Sequence, residues 1–235
     1  MSEGGAIVIT GGTGGLGRSL VTRLLARGGR VAVPYRNAEA FQGLRAGAKT
    51  AGALWGAPAD LSQPESADRF FAAARREVGR LAGLATLAGA WAGSGSFETA
   101  PEDEWARMLS ANLETTRIAC RAALPHLLEG GGSVVLVSAV AASRGGEGAA
   151  AYAVAKAGVA TLGRVLAEEN RRRGVRFNVV APGTIDTGAN RKAMPQADRS
   201  SWVSPEALSE LIAFLLDPVS APLTGALVPV EGSGR

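Results

Sequence analysis

Five glycines fall within seven residues, Gly11-Gly12-Thr13-Gly14-Gly15-Leu16-Gly17, directly after the apolar run Ala6-Ile7-Val8-Ile9-Thr10. The apolar run predicts a buried parallel strand, and Arg18 to Arg27 predicts an amphipathic helix. A glycine turn between a strand and a helix N-terminus has a specific use. Bare backbone lets a diphosphate approach, and the first N–H groups of the helix, which have no partner within it, point at the anion. Gly11, Thr13, Gly14, Gly15, Leu16 and Gly17 are therefore candidate dinucleotide-binding residues.

The same alternation continues along the chain. Strand-like runs at Arg30–Tyr35, Ala53–Pro58, Gly83–Leu87, Gly132–Val137, Val175–Ala181 and Ala226–Val230 are separated by helical patterns. Strand-helix alternation implies right-handed crossovers and a parallel sheet covered on both faces. The expectation is an α/β, doubly wound parallel sheet in one domain over residues 1–235, with no repeat or linker. Thr184 to Ser204 reads as a long irregular segment, the kind that serves as a lid or substrate loop.

In a dinucleotide fold, the end of the second strand faces the adenosine ribose, where a carboxylate selects NAD. Tyr35 and Arg36 stand there instead. Arg36 suits a 2′-phosphate, so NADP is expected, with NAD the lesser alternative and Arg18 a second partner. Asp60, beside Leu61, either accepts from the adenine amino group or caps the helix that begins near Pro64. Ala88 and Gly89, small residues after the fourth strand, leave room for the cofactor; Trp91 is a packing residue or a wall for a flat substrate.

Tyr152 and Lys156 lie four residues apart in an Ala-rich helical stretch from Ala149 to Leu166, hence on one face. An ammonium beside a phenol favours phenolate, so the tyrosine pKa is expected to fall and the group to move a proton near neutral pH. Asn112, polar among the apolar turns of a helical stretch from Pro101 to Glu129, either bonds a local helix bulge or anchors a water at the active site.

Composition removes other chemistries. Cys120 is the only cysteine and reads as a buried, inert thiol; His126 is the only histidine. Disulfides, cysteine or multi-histidine metal sites and a histidine triad are not expected. The net charge of +4 includes Arg171-Arg172-Arg173, read as a solvated helix end without interleaved aromatics, so no nucleic-acid partner is expected. No apolar run is read as membrane-spanning and no signal peptide is evident, which gives a cytoplasmic expectation.

Taken together, the glycine turn, Asn112, Tyr152, Lys156 and Pro182-Gly183 resemble the short-chain dehydrogenase/reductase family over essentially the whole chain. The resemblance implies a Rossmann-type subunit, a nicotinamide cofactor, a small-molecule substrate and a homodimer or homotetramer. It makes Tyr152 the general acid, Lys156 the ribose-binding and tuning residue, and Asn112 the holder of a relay water. Pro182, Gly183, Thr184, Ile185 and Thr187 are then cofactor contacts.

Two departures stand out. Thr86-Leu87-Ala88-Gly89 replaces the family's Asn-Asn-Ala-Gly, and the usual catalytic serine position, thirteen residues before the tyrosine, holds Ala139. Ser138 lies one residue earlier and, by strand alternation, points differently; it serves only if the register shifts. Trp91, Ala139 and the stretch from Asp186 through Asn190 to Trp202 are similar to dihydropteridine reductase-like members, which lack the serine. That likeness implies a conjugated imine or quinonoid substrate met by Trp91, Tyr152 and Asn190. The alternatives are a general ketone or alcohol dehydrogenase using Ser138, and a non-catalytic NADP-binding redox sensor.

Overall fold

A computed structural model describes residues 5–48 and 53–232; Lys49 lies outside them. Seven parallel strands form one sheet: β1 (Ala6–Thr10), β2 (Val31–Tyr35), β3 (Leu54–Pro58), β4 (Leu81–Thr86), β5 (Gly132–Val137), β6 (Val175–Pro182) and β7 (Leu227–Val230). Their order is β3-β2-β1-β4-β5-β6-β7. β1 pairs with β2 on one side, Ile7 opposite Val31, and with β4 on the other, Val8 opposite Leu84. The chain thus reverses its direction of winding between β1 and β4, and a crevice opens at the carboxyl ends of these strands, where ligands bind in such sheets.

Helices α1 (Gly15–Ala26), α2 (Ala38–Ala46) and α9 (Pro205–Leu216) cover one face; α3 (Pro64–Val78), α5 (Thr115–Leu128) and α7 (Ala150–Asn170) cover the other. Strand alternation divides the core accordingly. Ile7, Ile9, Val33 and Val135 meet Leu20, Leu24 and Ile212, whereas Val8, Leu84, Val134 and Leu136 meet Phe71, Ile118 and Val159. The small residues of α7 let it lie close to the sheet: a Cβ on Gly163 would stand 2.4 Å from the Val179 side chain.

The helical stretch expected from Pro101 to Glu129 is present as α4 (Glu102–Met108), a π-helical turn (Leu109–Glu114) and α5 in unbroken succession. Asn112 sits in that π turn. Three expectations are corrected. The segment from Thr184 to Ser204 is not wholly irregular: it holds α8 (Gly188–Ala193), capped by the Thr187 hydroxyl, and a bridge between Ile185 and Val203. By length and composition α7 is also apolar enough to cross a membrane, contrary to the reading that no run is; here it is a core helix whose Ala155, Val159 and Ala167 are buried. Asp60 does not cap α3, for Gln63 is its N-cap residue.

Cys120 is buried, and desolvation pushes its thiol up to about 12. Arg171 stands at the end of α7, exposed and paired with Glu168, as a solvated helix end requires.

Candidate active site

The glycine turn forms a cradle whose shape admits only glycine at several points. Gly11 has φ +67°, and a Cβ there would lie 2.8 Å from the Ala88 backbone nitrogen. A Cβ on Gly17 would stand 2.1 Å from the Gly11 carbonyl oxygen, so α1 begins against the turn itself. Gly14 is the N-cap residue of α1. Among the described residues no side chain caps this helix, and no carboxylate lies in its first turn. Its leading N–H groups and positive dipole end are thus left for an anion. Across the crevice, a Cβ on Gly15 would meet the Thr187 side chain at 2.7 Å. The cradle therefore fits a diphosphate in shape and in electrostatics.

Leu16 and Leu61 do not face this crevice with their side chains. Both are buried, in the two opposite core layers, so only their backbone is available to a cofactor. Arg36 is exposed at the end of β2. Arg18 points to the same corner but is already engaged: Nε donates to the Thr13 carbonyl at 2.9 Å and Nη2 to the Ala40 carbonyl at 2.9 Å. It braces the cradle against α2. Asp60 accepts from the backbone N–H and hydroxyl of Ser62, at 3.0 and 2.8 Å. Those bonds, with Arg36 adding a smaller Coulombic pull, hold its carboxyl below the usual range.

Two expected site residues converge on a third, Gly89, where a Cβ would lie 2.6 Å from Asn112 Oδ1 and 3.5 Å from Lys156 Nζ. Asn112 is fully buried. Its Nδ2 donates to the carbonyls of Ala90 (2.9 Å) and Met108 (3.0 Å), and its Oδ1 accepts from Ala90 N–H at 3.2 Å. The carboxamide thus clamps the chain that follows β4, and the π turn is what aims it there. Of the two readings of Asn112, local bonding is the one these contacts supply.

Lys156 is 6% exposed. Its ammonium donates to the Val137 carbonyl at 3.0 Å and lies 5.8 Å from the centre of the Tyr152 ring. Burial pushes the Lys156 pKa down to about 8 and the Tyr152 pKa up to about 12. The expected fall of the tyrosine pKa is therefore corrected. Both groups lose water, the ammonium stands over the ring face, and its N–H donates to the Val137 carbonyl rather than to the phenol oxygen; desolvation of the phenolate dominates the shift. At neutral pH Tyr152 is protonated and holds a proton to give.

Ser138 is buried, and its hydroxyl donates to the Lys156 carbonyl at 2.7 Å. Its backbone N–H continues the ladder to the Val180 carbonyl at 2.8 Å, so no register shift brings it to the position of Ala139. The hydroxyl faces α7, not the crevice.

Trp91, an expected substrate contact, is 63% exposed and leans over Gly93, whose Cβ would meet its ring at 2.9 Å. It is not a core residue. Asn190 is tied down: Nδ2 donates to the Ile185 carbonyl at 2.8 Å, which stabilises the loop and leaves the side chain little to offer a substrate. Pro182, Gly183 and Thr184 line the end of β6 with their backbone engaged: the Pro182 carbonyl accepts from Val140, Gly183 N–H donates to Val230, and the Thr184 carbonyl accepts from Val203.

Two contributions were not read from the sequence. The Val137 carbonyl orients Lys156, and a backbone acceptor carries no residue signature. Glu104, 4% exposed in the first turn of α4, accepts from the Ser94 hydroxyl and ties down the loop bearing Trp91; its sequence position reads only as a dipole-complementing carboxylate. A cavity of about 880 Å³ at the opposite edge of the sheet is lined by Arg30, Arg80 and Arg176. Arg80 and Arg176 there donate to backbone carbonyls, such as those of Gly130 and Leu215, so they are used in closing helix ends.

The family described as "short chain dehydrogenase" matches residues 5–198. 2-(S)-hydroxypropyl-CoM dehydrogenase 3 of Xanthobacter autotrophicus is 32% identical over 242 residues, covering 96% of this chain and 94% of that protein. The inactive 2-(S)-hydroxypropyl-CoM dehydrogenase 2 of the same organism is 34% identical over 203 residues, covering 80% and 88%. Among solved structures, levodione reductase superposes with a TM-score of 0.90 at 27% identity, covering 97% of this chain and 96% of the other. The chain belongs to the short-chain dehydrogenase/reductase family and is an NAD(P)-dependent oxidoreductase.

Proposed function

We propose that this enzyme is an NADPH-preferring reductase of planar, conjugated carbonyl or imine-like acceptors, of the quinone or quinonoid pterin kind. The observation that carries the reading is the missing hydroxyl: Ala139 occupies the usual serine position, and the Ser138 hydroxyl is given to the Lys156 carbonyl. A site that polarises its substrate with one phenol favours acceptors already activated by conjugation. Exposed Trp91 beside the crevice offers a flat face for such a ring.

A nicotinamide cofactor, when bound, would supply the hydride. The chain's part is binding and proton delivery. The bare turn at Gly11–Gly17 and the α1 N-terminus would hold the diphosphate. Arg36, exposed at the end of β2 with no carboxylate in its place, suits a 2′-phosphate. Tyr152 gives its O–H proton to the acceptor atom that gains charge, and buried Lys156 steadies the oxygen that remains.

The test is a panel of simple ketones, quinones and quinonoid dihydropterin assayed with NADPH and NADH. Turnover confined to the conjugated acceptors is expected; equal turnover of simple ketones contradicts the reading. A ketone dehydrogenase using Ser138 is disfavoured by the bond that hydroxyl makes. A redox sensor that holds NADP without turnover is disfavoured by the Tyr152–Lys156 pair, whose proton donor such a protein does not need. A homodimer or homotetramer is part of the proposal. It is supported by Val154 and Val165, which leave 48% and 47% of their surface exposed on α7. A cytoplasmic setting, also proposed, is consistent with a lone free thiol.

A further inference from the structure

Two adjacent residues of β5 and its continuation grip both ends of one lysine. The Val137 carbonyl accepts from Lys156 Nζ at 3.0 Å, and the Ser138 hydroxyl donates to the Lys156 carbonyl at 2.7 Å. We propose that Ser138 is the positioning residue for Lys156, holding the turn of α7 that carries it at the one distance from β5 at which the ammonium meets the Val137 carbonyl beneath Tyr152. The inference concerns this chain's own geometry. It stands for any acceptor, whether or not the conjugated-acceptor reading holds.

The argument starts from burial. Ser138 is 2% exposed, between Val137 and Ala139 at the end of an apolar strand. A hydroxyl there loses its water and must find a partner. It finds a helix carbonyl on a different element, eighteen residues away, rather than one in its own strand. Its anchor is rigid, because Ser138 N–H is bonded to the Val180 carbonyl within the sheet.

A lysine side chain has four methylene groups and many rotamers. Fixing its backbone at one end and its ammonium at the other selects one of them. The fixed position is also where a Cβ on Gly89 would come within 3.5 Å of Nζ, so the crevice has little slack around the ammonium. Neither neighbouring residue can replace the tie: Ala139 has no hydrogen-bonding side chain, and Val137 contributes only its backbone. Apolar packing of Val159, Ala160 and Gly163 presses α7 onto β5 and β6 further along the helix but is non-directional, and it supplies no hydrogen bond at the turn of Lys156.

The consequence is chemical as well as structural. An ammonium buried this deeply keeps its charge only through the acceptor it faces. If the turn drifts from β5, the bond to Val137 lengthens and the charged form loses that support. Ser138 then acts on the reaction through the proton affinity of Lys156, without touching the substrate.

The chain has three lysines, Lys49, Lys156 and Lys192, so selective ¹³C,¹⁵N-lysine labelling gives three side-chain signals, and Lys156→Arg assigns the one of interest. The full-length protein is titrated by NMR without substrate, as wild type, Ser138→Ala and Ser138→Thr. The expected result is a Lys156 midpoint in Ser138→Ala lower than wild type by about half a unit or more, roughly a threefold change in proton affinity. Ser138→Thr, which restores the hydroxyl, returns it. An unchanged or raised midpoint in Ser138→Ala overturns the proposal, as does a midpoint that Ser138→Thr fails to restore. Should Ser138→Ala not fold, Ser138→Cys, similar in volume with a weaker donor, is read by the same criterion. This readout is independent of turnover, so its failure is distinguishable from failure of the proposed reaction.

Discussion

The ammonium of Lys156 stands 5.8 Å from the centre of the Tyr152 ring while donating to the Val137 carbonyl. The pair is therefore a half-buried phenol with a buried ammonium over its ring face, not a tyrosinate ion pair. Its phenol is held in the protonated form, with a pKa near 12, and its lysine sits at about 8. This is the ionisation that a reductase needs at its proton donor.

The lysine shift has a signature in stability. Its folded pKa is lowered from 10.5 to about 8, so between those values the unfolded chain binds more protons, and stability is gained as pH rises through them. That gain is about 2 kcal/mol between pH 8 and 10. Cys120, raised from 9.0 to about 12, and Tyr152, raised from 10.0 to about 12, act in the opposite sense because their unfolded forms ionise first. The wild-type curve alone mixes the three. Subtracting the curve of Lys156→Met, measured by urea unfolding across this range, isolates the lysine. A difference that stays flat from pH 8 to 10 contradicts the buried-charge account.

Arg36 is the expected discriminator between the two dinucleotides. Replacing it by Asp removes a charge-assisted partner and adds a carboxylate where a ribose hydroxyl would lie. NADPH affinity should fall roughly thirtyfold, equivalent to about 2 kcal/mol, and NADH affinity should rise or hold. Nicotinamide fluorescence titrations give both constants.

Two glycines of the cradle separate folding from binding. A Cβ at Gly17 meets the Gly11 backbone, which cannot move aside, whereas a Cβ at Gly15 meets the Thr187 side chain. Gly17→Ala should therefore lower stability by about 2 kcal/mol or more. Gly15→Ala should weaken dinucleotide binding at least tenfold while the thermal midpoint changes little. Melting curves and fluorescence titrations of both variants check the contrast.

Asn112 makes a further case. Asn112→Ala leaves the N–H and carbonyl of Ala90 without their buried partner. A stability loss of about 2 kcal/mol is expected, together with loosening of the chain between Gly89 and Trp91, measurable as faster amide hydrogen exchange there.

Periodicity and glycine placement made the sheet legible from the sequence. The apolar runs match all seven strands: β1 is buried on both faces throughout, while the edge strands β3 and β7, only partly buried, still read as short apolar runs. The cradle was legible because Gly11 and Gly17 stand where any side chain strikes backbone. Tyr152 and Lys156 were legible from a spacing of four. What escaped depends on contacts between distant elements. A helix bulge at Asn112 is one of the two readings that the sequence offers; its partner Ala90, on the chain after β4, is not visible there. Burial of Leu16 and Leu61 follows from which core layer each meets. The direction of the Tyr152 shift escaped for the same reason: adjacency to a cation is visible in a sequence, but the water both groups lose is not. Ser138 was placed correctly as pointing away from the Ala139 position; its partner, a helix carbonyl, could be known only from the fold.

Proton donation by Tyr152 is tested most directly by single-turnover reduction with Tyr152→Phe, following NADPH absorbance against an acceptor that the wild type reduces. The account predicts a rate lower by at least ~10²-fold, with the NADPH dissociation constant unchanged within about twofold, since the phenol oxygen serves the reaction and not the cradle. A Tyr152→Phe enzyme that reduces the same acceptor at the wild-type rate would contradict it.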